Sequence, residues 1–141
     1  MLRQWLVSKR PTKTLGQRGE QAAVRYLRKL GYKIVARSQR DALGELDIVA
    51  VDMRGPHGPT IVFVEVKTRT SHDAGHPAEA VDAEKQRRLT RMALSYLKRH
   101  GLLEYPSRFD VVAVTWPTGQ KKPTIEHFKN AFEAVGADQL Y

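Results

Sequence analysis

The sequence contains no cysteine among its 141 residues. This absence excludes a disulfide framework, a thiol nucleophile and cysteine-ligated zinc. It is compatible with a reducing cytosol, so we expect a cytoplasmic protein. No apolar stretch approaches the ~20 residues that a membrane-spanning helix needs. The longest candidates, residues 48–51 and 61–64, have the length of strands, and we expect no membrane partner.

Acidic residues are fewer than basic residues. The chain has 15 Asp and Glu against 24 Lys and Arg, which gives a formal net charge of +9 and a pI of about 10.0. A small domain this basic indicates a polyanionic partner, which is either nucleic acid or an anionic membrane. Hydrophobic residues make up 41% and charged residues 28%, which excludes global disorder and a fibrous repeat.

The length predicts one domain. We expect residues 1–14 to be a basic, flexible segment, because they carry several Lys and Arg residues and lack the apolar core of a secretory signal. Residues 15–135 should form the domain, and residues 136–141 a short tail.

Hydrophobic spacing predicts the element order αβββαβ. The first helix should run from about Leu15 to Leu30, with Thr14 and Gln17 as a capping box, and the second from Asp82 to His100. The remaining predicted elements are the strands Tyr32–Arg37, Glu45–Asp52, Thr60–Thr70 and Phe109–Trp116, a short edge strand Thr124–Lys129 and a terminal helical turn Asn130–Val135.

The connections predict an α/β architecture. Residues 53–59 are too few for a parallel crossover, so the second and third strands should form an antiparallel hairpin. A strand, a long helix and a further strand imply a parallel pair. Both faces of the hairpin strands are apolar, which indicates a mixed sheet flanked by helices on both sides.

The hairpin places two acids opposite each other. If it is centred on Pro56, paired residue numbers sum to 112, so Asp47 faces Glu65 and Glu45 faces Lys67. Opposed Cβ atoms lie ~4.5–5.5 Å apart, and two carboxylates at that distance repel by roughly 3 kcal/mol at an effective dielectric constant near 20. A divalent cation between them would reverse the sign of this interaction.

This arrangement predicts a catalytic magnesium site. Mg²⁺ typically takes one or two carboxylates together with waters and phosphate oxygens, and the main-chain carbonyl of Val66 offers a further oxygen. Lys67 would direct its ammonium at the same place, where it would activate water or stabilise the transition state. The alternative is that Glu45 and Lys67 form an ordinary cross-strand ion pair, and a one-residue slip in register would separate Asp47 from Glu65.

Basic side chains near this hairpin are candidate contacts for DNA phosphates. Lys85 lies on the apolar stripe of the second helix, where it either extends its stem over the core or contacts the scissile phosphate. The other candidates are Arg88 and Arg91 on the same helix, and Arg37 and Arg69 at strand ends.

These residues resemble two known patterns. Asp47, followed by Glu65-Val66-Lys67, resembles the PD-(D/E)XK nuclease motif, although Leu46 stands where the motif has proline. The flanking motifs, from Leu15 to Phe132, resemble those of the YraN-like family of bacterial proteins. They are Gly19-Glu20, Lys85 with Arg88-Leu89, Arg108 to Val112, and Asn130-Ala131-Phe132.

The resemblance implies a restriction-endonuclease-like fold related to Holliday junction resolvases. It further implies that Glu20 joins the metal site, that Mg²⁺ or Mn²⁺ is the cofactor, and that the substrate is DNA, with branched or structured DNA included. The resemblance also implies a homodimer, because cutting both strands of a DNA junction needs two active sites. We therefore expect a metal-dependent endonuclease. The alternatives are a non-catalytic nucleic-acid-binding protein with the same fold, and a basic protein that docks on ribosomal RNA or on an acidic protein.

Overall fold

The computed structural model describes residues 12–135. The predicted N-terminal segment up to residue 11 and the tail 136–141 lie outside this range. The helices are α1 (Leu15–Lys29) and α2 (Ala83–Arg99), and the strands are β1 (Lys33–Asp41), β2 (Gly44–Asp52), β3 (Thr60–Arg69), β4 (Ser107–Thr115) and β5 (Thr124–Phe132). Two short 3₁₀ helices, His72–Ala74 and Pro77–Ala80, precede α2.

The five strands form one mixed sheet in the order β1-β2-β3-β4-β5. Strands β3 and β4 are parallel and are joined through α2, and every other neighbouring pair is antiparallel. The structure thus confirms the predicted α/β architecture. The predicted hairpin register is confirmed from Asp52 back to Ile48, where Ile48 pairs with Val64.

Each helix covers one face of the sheet, as the two-sided apolar pattern predicts. Helix α1 buries Leu27 against side chains such as Val62 and Val64, and α2 buries Met92 on the opposite face, which carries Phe63. Burial of each such side chain contributes about 1.5–3 kcal/mol. The α1 capping box is confirmed, because Thr14 Oγ1 accepts the N–H of Gln17 and the Gln17 side chain accepts the N–H of Thr14.

Gly19 sets the distance between α1 and the sheet. A Cβ at this position would lie 1.9 Å from Oγ1 of Thr68, so only glycine permits this approach to β3. Because α1 lies so close to β3 at Thr68, the next residue, Glu20, lies near the end of the sheet at which β3 finishes.

Two predicted boundaries need correction. Asn130–Val135 is not a helical turn, because β5 continues through Phe132, whose ring stacks on Phe109 at 4.7 Å. A register irregularity accommodates Asn130, which has a φ of 50° and donates its N–H to Asp110. Strand β1 also extends beyond the predicted end at Arg37 to Asp41, because β2 continues to pair with it.

Within residues 12–135, neither helix combines the length and the apolar character that crossing a membrane requires.

Candidate active site

Strand pairing stops at Asp47. The regular pairing of β2 with β3 ends at Ile48 and Val64, so the two predicted pairs beyond it do not form as ladder pairs. Instead, Oδ2 of Asp47 accepts the backbone N–H of Val66 at 2.9 Å. The Asp47 side chain thus accepts the hydrogen bond that a backbone carbonyl of the neighbouring strand would otherwise accept. The carboxylate of Asp47 therefore lies beside β3, where β2 and β3 are no longer paired.

Asp47 and Glu65 nevertheless lie together. Burial and the neighbouring Glu65 carboxylate raise the pKa of Asp47 to about 7, although the N–H of Val66 acts in the opposite direction. A carboxyl group with this pKa is held among groups that disfavour its charge. The predicted juxtaposition of these two acids is therefore present without the predicted backbone pairing.

Three carboxylates from two elements converge at this opening. Oxygens of Glu20, Glu45 and Asp47 all lie within 4.8 Å of one another. Glu20 also accepts a hydrogen bond from Oγ of Ser38 at 3.1 Å, and its Oε1 lies 3.6 Å from Nε of Arg37. The structure thus places Glu20 beside Asp47, where the resemblance expects it.

Sequence reasoning assigned Glu45 to a cross-strand pair and missed its place in this cluster. Its carboxylate pairs with Nε of Arg40 at 2.8 Å rather than with Lys67. The available signal was its spacing, because residues two apart on a strand share a face, and Glu45 stands two before Asp47.

Glu65 is buried and in contact with two lysines. Nζ of Lys85 lies 2.5 Å from Oε1 of Glu65, and Nζ of Lys67 lies 3.5 Å from it. Burial and the neighbouring Lys85 lower the pKa of Lys67. Burial also acts to lower the pKa of Lys85, but its contacts, with Glu65 foremost, outweigh burial and raise it. Lys67 is therefore the lysine that gives up its proton more readily.

An open pocket of about 510 Å³ gives access to the cluster. Its wall includes the three clustered acids together with Val66, Lys67 and the first turn of α1. Carboxylate and carbonyl oxygens are the ligands that hard divalent cations such as Mg²⁺ and Mn²⁺ prefer. The chemistry of this donor set fits the predicted metal.

The predicted phosphate contacts differ in accessibility. Arg88 and Arg91 are exposed on α2, while Lys85 contacts Glu65 and Arg37 lies beside Glu20. Arg69 is mostly buried, with 14% of its side chain exposed, and it donates to Oγ1 of Thr115 and to the carbonyl of Gly75. Arg69 thus ties strand ends together, and binding of nucleic acid by all five residues stays a prediction.

A second group of acids lies at the opposite end of the sheet, where β2 ends and β4 begins. Asp110 is completely buried and contacts Arg108 at 3.0 Å, Nε2 of His127 at 2.7 Å and the N–H of Asn130 at 2.9 Å. Arg108 also contacts Asp52 at 3.2 Å. Burial acts to raise the pKa of Asp110, but the bonds from His127, Arg108 and Asn130 outweigh it and lower the pKa.

Comparison with known proteins places the chain in a family. The model of the family described as "Uncharacterised protein family UPF0102" matches residues 19–114. A UPF0102 protein of Rhodopirellula baltica is 52% identical over 128 residues, which are 90% of this chain and 75% of that protein. A UPF0102 protein of Geobacter metallireducens is 50% identical over 121 residues, which are 86% of this chain and 93% of that protein.

One solved structure shows a slight likeness. It is that of Pyrococcus furiosus SfsA in complex with Ca²⁺, with 12% identity and a TM-score of 0.26. The match covers 77% of this chain and 58% of that one, and it is too weak to bear on the fold. The family matches are decisive, and the chain belongs to the UPF0102 family, which is the YraN-like family that its motifs resemble.

Proposed function

We propose that the protein is a metal-dependent nuclease of the PD-(D/E)XK type that acts on DNA. The observation that carries the proposal is the broken strand pairing at Asp47, which brings this carboxylate to Glu65, Glu20 and Glu45. A carboxyl group whose pKa is strongly perturbed, as that of Asp47 is, is typical of a functional site when it lies in an accessible pocket. A hairpin with only a structural role gains nothing from such crowding.

The ligand set follows from the pocket. Asp47, Glu20, Glu45 and the carbonyl of Val66 would hold Mg²⁺ or Mn²⁺. Glu65 is the remaining proposed ligand, because it neighbours Asp47 although it does not line this pocket. When bound, the cation would lower the pKa of an attacking water and stabilise negative charge on the phosphoryl oxygens.

Lys67 is the second component of the site. It lines the same pocket, and its pKa is lowered by burial and by Lys85. In this position its Nζ would orient the attacking water or donate a hydrogen bond to the phosphate.

The substrate class rests on charge and on resemblance. The net charge of +9 and the exposed Arg88 and Arg91 favour a polyanion, whose phosphates these side chains would neutralise. The resolvase-like resemblance extends the proposal to branched or structured DNA and to a homodimer, which is an argument by analogy.

The test is a Mn²⁺ titration followed by cleavage assays. We expect wild-type protein to cut at least one of a panel of linear, nicked and branched DNAs with Mg²⁺ or Mn²⁺. Asp47→Asn and Glu65→Gln should each lower the rate by about 100-fold or more, because each removes a charge that the cation needs. Glu104→Gln is the matched control, since Glu104 is an exposed acid in the loop before β4. A panel left uncut by wild-type protein with both metals contradicts the proposal.

A second candidate is a nucleic-acid-binding protein without catalysis. It is favoured by the contacts of Glu65, whose charge Lys85 and Lys67 already neutralise without a metal. This candidate predicts strongly salt-dependent DNA affinity that Asp47→Asn does not change. Measurement of RNA and DNA affinity at one salt concentration separates it from an RNA-docking protein.

A further inference from the structure

A second pocket lies across α1 from the carboxylates. It has a volume of about 380 Å³, and its wall includes Lys13, Arg18, Arg25 and Trp116. No acidic residue of the described chain lines this pocket. It differs in this respect from the carboxylate pocket, and the residues that form it belong to none of the site assignments above.

Trp116 is held in place from several sides. Its backbone N–H donates to the carbonyl of Arg69 at 2.7 Å, and its indole N–H donates to the carbonyl of Gln120 at 2.8 Å. The half-buried ring packs against the core cluster beneath α1. The guanidinium of Arg18 lies over the ring, 4.1 Å from its centroid. The indole is therefore a preorganised aromatic surface with a cation on its face.

Positive charge around this ring is uncompensated by acids. Within residues 12–135, neither Arg18 nor Arg25 forms an ion pair with a carboxylate, and Nζ of Lys13 donates to Oε1 of Gln21 at 2.7 Å. A basic groove with an aromatic side chain is the arrangement that binds single-stranded nucleic acid, because phosphates meet the cations and a base stacks on the ring.

The two pockets share α1 as a common wall. Gln17 and Glu20 line the carboxylate pocket, while the residues after them, Arg18 and Gln21, line the basic pocket. A helix with its side chains is only about 10–12 Å across. A strand that leaves the carboxylates over the first turns of α1 therefore reaches Trp116 directly.

We propose that the pocket formed by Lys13, Arg18, Arg25 and Trp116 is a subsite for a single-stranded segment of the nucleic acid that the carboxylate pocket receives. The link between the two pockets rests on the proposed function. Inside a duplex each base is already stacked on both faces, so only the terminal pairs of a blunt duplex offer a free face to Trp116. Base–aromatic stacking is stronger than an exposed cation–π contact, so an unpaired base displaces Arg18, which then meets a phosphate.

The test uses Asp47→Asn protein without divalent metal, so that binding is measured apart from cleavage. Trp5 is replaced by Phe, which leaves Trp116 as the only tryptophan. The probes are labelled oligothymidine, a blunt duplex and a duplex with a single-stranded flap, with affinities measured by fluorescence anisotropy. We expect oligothymidine to quench Trp116, and Arg18→Ala/Arg25→Ala to weaken binding of oligothymidine and flap by about tenfold or more.

The matched control is Arg28→Ala/Lys29→Ala, which removes the same charge from the last turn of the same helix. It should change these affinities by less than about twofold, because phosphate contacts act locally. Equal losses in both double variants would overturn the subsite in favour of unspecific attraction. Unchanged Trp116 fluorescence, or equal quenching by inorganic polyphosphate, would also overturn it.

Separate results decide the two proposals. If wild-type protein cuts DNA while Arg18→Ala/Arg25→Ala binds oligothymidine normally, the subsite is wrong and the nuclease stands. If the subsite behaves as expected while wild-type protein cuts nothing, the nuclease is wrong and the binding site stands. Circular dichroism melting of every variant verifies that a loss of binding is not a loss of fold.

Discussion

The two ends of the sheet hold acids in opposite electrostatic situations. At one end Asp110 is completely buried and is surrounded by donors from Arg108, His127 and Asn130, which lower its pKa. At the other end Asp47 has one backbone donor and three neighbouring acids, Glu65, Glu20 and Glu45, and its pKa rises to about 7. The same residue type is thus stabilised as a charge in one place and destabilised as a charge in the other.

The opposite pKa shifts of Asp110 and Asp47 indicate which of the two aspartates has a structural role. Burial opposes ionisation of both aspartates. It is the largest cause of the raised pKa of Asp47, and the neighbouring acids act in the same direction. At Asp110 the donors outweigh burial and lower the pKa. A satisfied buried charge ties β4 to its neighbours, and removal of a partner should cost stability. A crowded carboxylate in an open pocket costs stability as it stands, which is reasonable only if a cation or substrate compensates.

The largest expected effect is at the paired end. Arg108→Ala leaves Asp110 and Asp52 without their guanidinium, so we expect the free energy of unfolding to fall by ~3–5 kcal/mol. Because the pKa of Asp110 is lowered, the contribution of this network is present at neutral pH and is lost as the pH falls through the folded-state pKa, below the ordinary 3.8. Urea unfolding of wild type and variant at pH 7 and at pH 3 measures the loss in the free energy of unfolding at each pH. A loss below about 1 kcal/mol at pH 7 would contradict the comparison.

The second prediction concerns Asp47→Asn, which should raise the free energy of unfolding rather than lower it. In unfolded protein Asp47 ionises near 3.8, whereas in folded protein it stays neutral up to about 7. Wild-type stability therefore falls as the pH rises across this window, and Asp47→Asn lacks the loss. We expect the variant to be more stable than wild type by about 2–4 kcal/mol at pH 8 and by much less at pH 4. Thermal melting of both proteins between pH 4 and pH 8 provides the measurement. A stability difference that does not change with pH would contradict the raised pKa of Asp47.

The smallest effect is at Arg40, whose side chain is 81% exposed and pairs with Glu45. Arg40→Ala should change the free energy of unfolding by about 0.5 kcal/mol or less, since exposed ion pairs are screened by water. The same change releases a carboxylate of the cluster, so Mn²⁺ affinity measured by calorimetry should rise. Arg108→Ala is the contrasting variant, because Arg108 lies at the other end of the sheet. We expect its Mn²⁺ affinity, measured on folded protein, to equal that of wild type. A lower Mn²⁺ affinity in Arg40→Ala would contradict the assignment of Glu45 to the metal cluster.

Local sequence signals determined most of the fold. The Thr14-Gln17 capping box and the apolar stripes of both helices predict elements that the structure confirms. The short linker at Pro56 predicts a hairpin register that the structure confirms from Asp52 back to Ile48. These signals depend on residues close in the chain, so no knowledge of packing is needed to interpret them. The wrongly predicted helical turn at Asn130–Val135 shows the limit of these signals. The strand conformation of its first three residues depends on Asp110 and Phe109, which are distant in sequence.

The sequence by itself determined that an acid from β2 and the Glu65-Val66-Lys67 tripeptide of β3 would be neighbours, since strand periodicity and linker length require it. Only the tertiary structure decided that Asp47 leaves the ladder for the N–H of Val66, that Glu45 joins Glu20, and that Lys85 reaches Glu65. The reason is physical. Side-chain direction at a strand break depends on which donors and charges the packed helices bring within a few ångströms, and the sequence lists those groups without their positions.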